Sequence, residues 1–446
     1  MRWIFYDTVF VFLYILMMPR FILRMLRRGG YKNRFWDRFG RFPDEIEEKL
    51  KASQGRIWIH AVSVGEVFVA GQVMREMRRQ DADTRFVLST TSSTGWVQAE
   101  RQLGEEDVLI YCPMDISFCV RRVVSLVRPE ALILIESEIW PNLIRICVQR
   151  GASVFLVNAR ISDRSAPRYA KMRWWFAPVF RMFTYIMAQS DLDRERLIAA
   201  GAYADKTDVY GSFKFDVARR DEKKERELKQ WLAGHDVTDK NMILLGGSTW
   251  PGEDFILVNA YRELAEKHPD LRLIIVPRHF EKADDVERTV VRSGLICVRK
   301  SRGDSSPQDT YGGPAPVLLA DTTGELMGFY GLSHIVFVGK SLYEHGAQNM
   351  IEPCLCGAAV IIGPHTENFR PVMSDLHQAD AVIQVPADDV VMDEIEALLE
   401  DEQKRKAMGE RAAAAVISRR GVVERCVRRM KAASDFIEDS ENGQRD

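Results

Sequence analysis

The stretch IWIHAVSVGEV, residues 57–67, runs mostly apolar through residue 64 and then breaks at Gly65 and Glu66. An apolar run of that length, closed by a turn residue and followed by helical spacing, reads as a parallel strand buried on both faces. Working outward, comparable runs fall at 85–91, 108–113, 131–136, 153–159, 185–189 and 208–211, with amphipathic stretches between most of them. The charged stretch 216–240 interrupts the series. Leu228, Trp231 and Leu232 are almost its only apolar face, so it reads as a linker or an exposed helix. Runs resume at 242–246, 271–276, 295–298, 317–320, 334–338, 358–362 and 381–385. A parallel strand needs a crossover to return, so two strand–helix arrays in series predict an α/β protein of two doubly wound, Rossmann-like domains. The stretch 392–436 has helical spacing and either closes the second domain or crosses back to the first. The expected division is an N-terminal segment 1–28, a first domain 29–215, the linker 216–240, a second domain 241–436 and a tail 437–446.

The 446 residues are 46% hydrophobic and 28% charged, a globular profile that excludes disordered, collagenous and disulfide-stapled classes. A net charge of -2 supplies no field for wrapping nucleic acid. Seven scattered cysteines, mostly inside apolar runs, argue against a disulfide framework. The charge is uneven, however. Residues 1–42 hold nine Arg or Lys against Asp7 and Asp37, a local +7 that leaves -9 for the rest. Within that arm, residues 8–18 (TVFVFLYILMM) carry no charge and are followed by Arg20, Arg24, Arg27 and Arg28. Eleven residues fall short of the roughly 20 that span a bilayer. The arm reads as a membrane anchor that either spans a thinned bilayer or lies in its interface, with the basic side and the body in the cytoplasm.

In open α/β sheets, ligands sit where strand C-termini meet helix N-termini, because unpaired N–H groups and the helix dipole point there. The first-half strand ends carry Glu66, then Glu136-Ser137-Glu138, then Arg160, with Lys214 near the domain junction. The second half carries Ser248-Thr249, Arg278-His279, Gly339-Lys340-Ser341 and Gly363-Pro364-His365. Several motifs fail. The P-loop ending at Gly339-Lys340-Ser341 would need Gly at position 334, which is His334. Asp191-Leu192-Asp193 reads as acids in the first turn after a Ser190 cap, not as a metal motif. Cys354 and Cys356 lack a second pair, and the eight histidines form no metal motif at fixed spacing, so neither metal nor cofactor is expected.

Eight segments in order resemble the 3-deoxy-D-manno-octulosonate (Kdo) transferases of Gram-negative bacteria. They are HAVSVGEV at 60–67, IESEIWPNLI at 135–144, VNARIS at 157–162, YGSFKFD at 210–216, VPRHFE at 276–281, DTTGELMGFYG at 321–331, FVGKSLYEHGAQNMIEP at 337–353 and GPHTENF at 363–369. The resemblance implies a GT-B glycosyltransferase whose two domains face an interdomain cleft, behind an N-terminal membrane-anchor helix. It also implies inverting, metal-independent transfer of Kdo from CMP-Kdo to a lipid A precursor at the cytoplasmic side of the inner membrane.

By the same resemblance Glu66 is the general base, and Glu136 and Lys214 support the transition state, with Glu138 an open alternative because successive strand residues face opposite ways. CMP contacts carry over to Pro277 and Arg278, to Gly324, Glu325 and Leu326, and to Asn349, Met350, Ile351 and Glu352. The chain departs from the commoner family wording at Lys340, Gln348, Met350 and Ile351, where Gly, His, Pro and Leu are frequent. Preference for cytidine over uridine would separate this reading from a GT-B enzyme using another nucleotide sugar. Nucleotide binding without transfer would mark a tethered scaffold instead.

Overall fold

A computed structural model describes residues 2–28, 34–52, 55–304 and 313–442, with the side chains of 19–28 and 435–442 excepted. Among the described residues fourteen strands form two all-parallel sheets, and each answers to one of the apolar runs. The first sheet contains β1 (Arg56–His60), β2 (Phe86–Thr90), β3 (Val108–Tyr111), β4 (Pro129–Ile135), β5 (Ser153–Ala159), β6 (Tyr185–Ala188) and β7 (Thr207–Val209), in the order β3-β2-β1-β4-β5-β6-β7. The second contains β8 (Met242–Thr249), β9 (Leu271–Pro277), β10 (Cys297–Arg299), β11 (Val317–Leu319), β12 (Ile335–Val338), β13 (Ala359–Ile362) and β14 (Ile383–Gln384), in the order β10-β11-β9-β8-β12-β13-β14.

Alternate side chains feed opposite layers. In the first sheet Trp58, Leu132 and Leu134 enter one cluster, while Ile59, Ile133 and Ile135 enter the other. In the second, Leu245, Ile274 and Val336 oppose Leu244, Ile275 and Phe337. Both faces of the inner strands are therefore dry, which is why the sequence shows runs instead of alternation, while the edge strands β7 and β14 are only partly covered.

The chain divides into two compact units, residues 1–213 with 421–446, and residues 214–420. This differs from the expected boundaries at the C-terminus. The helix Val422–Asn442 packs on the first unit, where Val422, Val423, Cys426, Val427 and Met430 join the cluster of Ala70, Val73 and Met74. Residues expected as a tail from 437 continue that helix to Asn442, and 443–446 lie outside the described residues. Within the charged stretch 216–240, Glu222–Ala233 is a helix capped by Asp221, with Leu228 and Leu232 buried, and it belongs to the second unit.

The N-terminal helix Arg2–Arg28 lies along the first unit. Tyr6 donates to Asp115 Oδ2 at 2.8 Å, and Asp7 Oδ1 accepts from Asn142 Nδ2 at 2.6 Å and from Ser117 N at 3.2 Å. Arg145 stacks over Trp3. The opposite face, with Ile4, Phe5, Phe12, Ile15 and Leu16, is exposed. Among the described residues no helix is long and apolar enough to cross a membrane.

Candidate functional site

In the first unit the sheet order reverses direction between β1 and β4, and the candidate residues follow those two strands. Ser63 caps the helix Val64–Gln80, its hydroxyl accepting from Glu66 N. The Glu66 carboxylate folds back over that helix start, where Oε2 accepts from Val62 N at 2.8 Å and Oε1 accepts from Ser63 Oγ at 2.8 Å. The arrangement resembles a capping box, except that Glu66 accepts from the N–H before the cap and from the cap hydroxyl instead of from the cap N–H. Each oxygen keeps a further lone pair, so the group can still accept a proton.

Glu136, directly after β4, holds the left-handed backbone (φ 58°), as does Asn158 at the end of β5 (φ 52°). Two neighbouring non-glycine residues in that region signal a site whose geometry overrides local preference. The Glu136 carboxylate meets Arg160 Nε at 3.1 Å and Asn158 Nδ2 at 3.4 Å. Glu138 accepts from Trp140 Nε1 at 2.8 Å and lies 3.9 Å from Nε2 of the buried His60. Burial, reinforced by the charges of Glu66 and Glu136, pushes the Glu138 carboxyl up to about 7. Burial likewise drives His60 down to about 4, so the imidazole is neutral. Ser89 Oγ accepts from Trp58 Nε1 and lies 2.9 Å from His60 Nδ1, and His60 Nε2 is the ring nitrogen nearer Glu138. A cavity of about 290 Å³ opens beside these groups, with Glu136, Ser137, Arg160 and Ser162 among its polar lining and Leu156, Phe180 and Leu197 among its apolar lining.

In the second unit the direction reverses between β8 and β12, and backbone strain marks the same place. Ser248 (φ 55°) and Lys340 (φ 57°) are left-handed there. A Cβ on Gly339 would stand 2.2 Å from Ser248 O, so only glycine fits that approach. The buried Glu253 stitches the region together. Its carboxylate accepts four backbone N–H bonds, from Trp250, Lys340, Ser341 and Leu342, at 2.8–3.1 Å.

Pro277 ends β9, and Arg278 follows it, exposed, its backbone N donating to Thr249 O at 3.0 Å. Gly324 is left-handed (φ 81°), Glu325 is held by Lys300 and Thr322, and Leu326 opens the next helix. Asn349 Nδ2 donates to Glu352 Oε1 at 3.0 Å, and burial pushes the Glu352 carboxyl up. Met350 and Ile351 are fully buried in the hydrophobic core, so a ligand could meet only their backbone. Lys214 begins a short helix of this unit, its Nζ 3.2 Å from Asn368 O and over the Phe369 ring.

The structure thus gathers Glu66, Glu136 and Glu138 at one crossing, and places Lys214 with the candidate CMP residues in the second unit. Asp193 accepts from Ile161 N and from Ser190 Oγ at the helix start, the cap read from the sequence. Arg160, Asn158 and Glu253 were not singled out in sequence as functional side chains. Glu253 had no signal beyond following a strand, whereas Asn158 and Arg160 lay at a strand end within the VNARIS segment at 157–162 without an assigned role. A further cluster, His345, His365 and Glu367, joins ligand-type side chains from two separate loops, a pairing invisible to motif spacing.

Residues 33–217 match the family described as 3-deoxy-D-manno-octulosonic-acid transferase (kdotransferase), and residues 317–415 match glycosyl transferases group 1. The fold is similar to a glycosyltransferase from Rickettsia africae (TM-score 0.56, 13% identity, 86% of this chain and 99% of that one). Two parallel-sheet α/β units of this GT-B-like build, with both family matches, define a glycosyltransferase. The 3-deoxy-D-manno-octulosonic acid transferase of Haemophilus influenzae is 30% identical over 92% of this chain and 93% of its own length. That of Bordetella pertussis is 31% identical over 91% and 94%. The chain belongs to the 3-deoxy-D-manno-octulosonic acid transferase family.

Proposed function

We propose that the protein transfers Kdo from CMP-Kdo to a lipid A precursor with inversion and without a metal ion. The observation that carries this reading is the glutamate cluster at the β1/β4 crossing of a chain in this family. The acceptor hydroxyl oxygen attacks the anomeric carbon of Kdo as the bond from that carbon to the CMP phosphate breaks, and Glu66 takes the hydroxyl proton. CMP leaves with the electron pair, and Lys214 and Arg278 offset its charge and that of the Kdo carboxylate. Glu136, held by Arg160, faces the oxocarbenium-like sugar. Glu325 and Glu352 accept from ribose hydroxyls, while Pro277, Gly324, Leu326, Asn349, Met350 and Ile351 shape the nucleotide cradle.

The helix Arg2–Arg28 attaches this enzyme to the cytoplasmic side of the inner membrane. One face of it is occupied by Tyr6, Asp7 and Trp3 contacts to the first unit, and the other is a row of exposed apolar side chains. That division suits a helix lying in the interface, beside a large lipid acceptor.

The test is transfer by the full chain in detergent, with CMP-Kdo, a tetraacyl lipid A precursor and EDTA, following CMP release and product mass. Transfer that falls 100-fold or more in Glu66→Gln supports the reading. A folded, CMP-binding protein that transfers nothing refutes the substrate assignment, and full activity in Glu66→Gln refutes the role of Glu66.

A further inference from the structure

We propose that His345, His365 and Glu367 form a binding site for a first-row transition-metal dication such as Zn2+, separate from the chemistry of transfer. The loop after β12 supplies His345, and the loop after the adjacent β13 supplies His365 and Glu367. Glu367 Oε1 lies 2.8 Å from His345 Nδ1 and 3.5 Å from His365 Nδ1, and the three ligand atoms fall within 4.8 Å of one another. Around an ion about 2.0–2.1 Å from each donor, neighbouring donors stand about 2.9 Å apart at right angles and about 3.4 Å apart at tetrahedral angles. The two observed separations bracket those values. The third separation, between the imidazoles, lies within 4.8 Å, and the His345 side chain is 78% exposed.

The surroundings hold the ligands in place, as metal sites require. Glu367 Oε2 accepts from Gly346 N at 2.9 Å, and His365 N donates to Ser341 O at 3.0 Å. Gly346 is left-handed (φ 101°), and a Cβ there would strike Asn368, so the loop turn and the Glu367 segment are fitted to each other. Two imidazoles and one carboxylate favour zinc, nickel or copper over magnesium or calcium. The remaining coordination positions open to solvent, which supplies both water ligands and an entry path. Asn349 lies four residues beyond His345 on one loop, and Asn368 and Phe369, which hold Lys214, follow Glu367 directly. A bound dication would therefore stand beside the proposed donor cradle.

The test uses the metal-stripped full chain, titrated with Zn2+ against a chromophoric chelator and with Co2+ by visible absorption. One equivalent should bind, and His345→Ala and His365→Ala should each weaken binding at least tenfold without changing the melting temperature. His377→Ala, whose ring instead meets Gln384, should bind like the parent. Equal binding by parent and both ligand variants, no binding by the parent, or a cobalt thiolate charge-transfer band assigning the ion to cysteine would each overturn the proposal. The readout is binding alone, so it stands whether or not the chain transfers Kdo.

Discussion

Replacing Glu138 by Gln tests the electrostatics of the glutamate cluster directly. In the folded protein this carboxyl is pushed from its ordinary 4.5 up to about 7 by burial and by the charges of Glu66 and Glu136. Its side chain is 19% exposed, so solvent screens it little. The fold therefore holds the proton more tightly than the unfolded chain does, and ionisation of Glu138 opposes folding. The contribution is fully favourable below about pH 4.5, fades as pH rises through 7, and levels off above that. At about 1.4 kcal/mol per tenfold change, the span from 4.5 to about 7 amounts to about 3 kcal/mol. Glutamine cannot ionise, yet its amide oxygen can still accept from Trp140 Nε1. The stability of Glu138→Gln relative to the parent should thus grow by about 3 kcal/mol between pH 4 and pH 9. Urea unfolding followed by tryptophan fluorescence at a series of pH values reads this difference, and all other titrating groups cancel to first order. Parallel stability curves for the two proteins would refute the reasoning.

Three further outcomes follow from the same geometry. Glu253→Gln turns one acceptor oxygen into a donor facing backbone N–H groups, and should lower the denaturant stability of the second unit by about 2–5 kcal/mol. Gly339→Ala drives a methyl group against the Ser248 carbonyl and should lower the melting temperature and weaken CMP binding together, measured by calorimetry and fluorescence. Phe12→Asp with Leu16→Asp, both at positions 67% exposed, should cut flotation with anionic vesicles at least tenfold while leaving the melting temperature unchanged.

The strands were legible because parallel sheets covered on both faces demand uninterrupted apolar runs, although the run 57–64 overreaches β1, which ends at His60 before Ser63 caps the helix that Val64 begins. The Ser190 cap was legible for the same local reason, since Asp193 sits three residues on. Glu66 was legible as a strand-end acid, but its folding back onto Val62 N depends on where Ser63 caps the helix. What escaped was non-local. Arg160 meets Glu136 only because β4 and β5 are neighbours. Glu253 reaches the loop after β12 only because β8 and β12 pair across a long sequence gap. The N-terminal arm was read from its charge and hydropathy, in which Asp7 counted only as one of two acids. It is a docking contact to Asn142 and Ser117. Charge counts along one segment cannot reveal a partner more than a hundred residues away.

The return of the helix Val422–Asn442 to the first unit has a consequence for the order in which the protein is made. Residues 214–420 are contiguous and can close their core as soon as they leave the ribosome. The first unit cannot, because Val422, Val423, Cys426, Val427 and Met430 complete a hydrophobic layer whose other members were synthesised first. At about 5–20 residues per second, the gap between residue 213 and residue 430 amounts to roughly 10–40 s. For that interval the apolar surface of Ala70, Val73 and Met74 lacks its covering helix on a nascent chain that already carries its N-terminal helix. The half of the protein that is translated first is thus the half that finishes folding last.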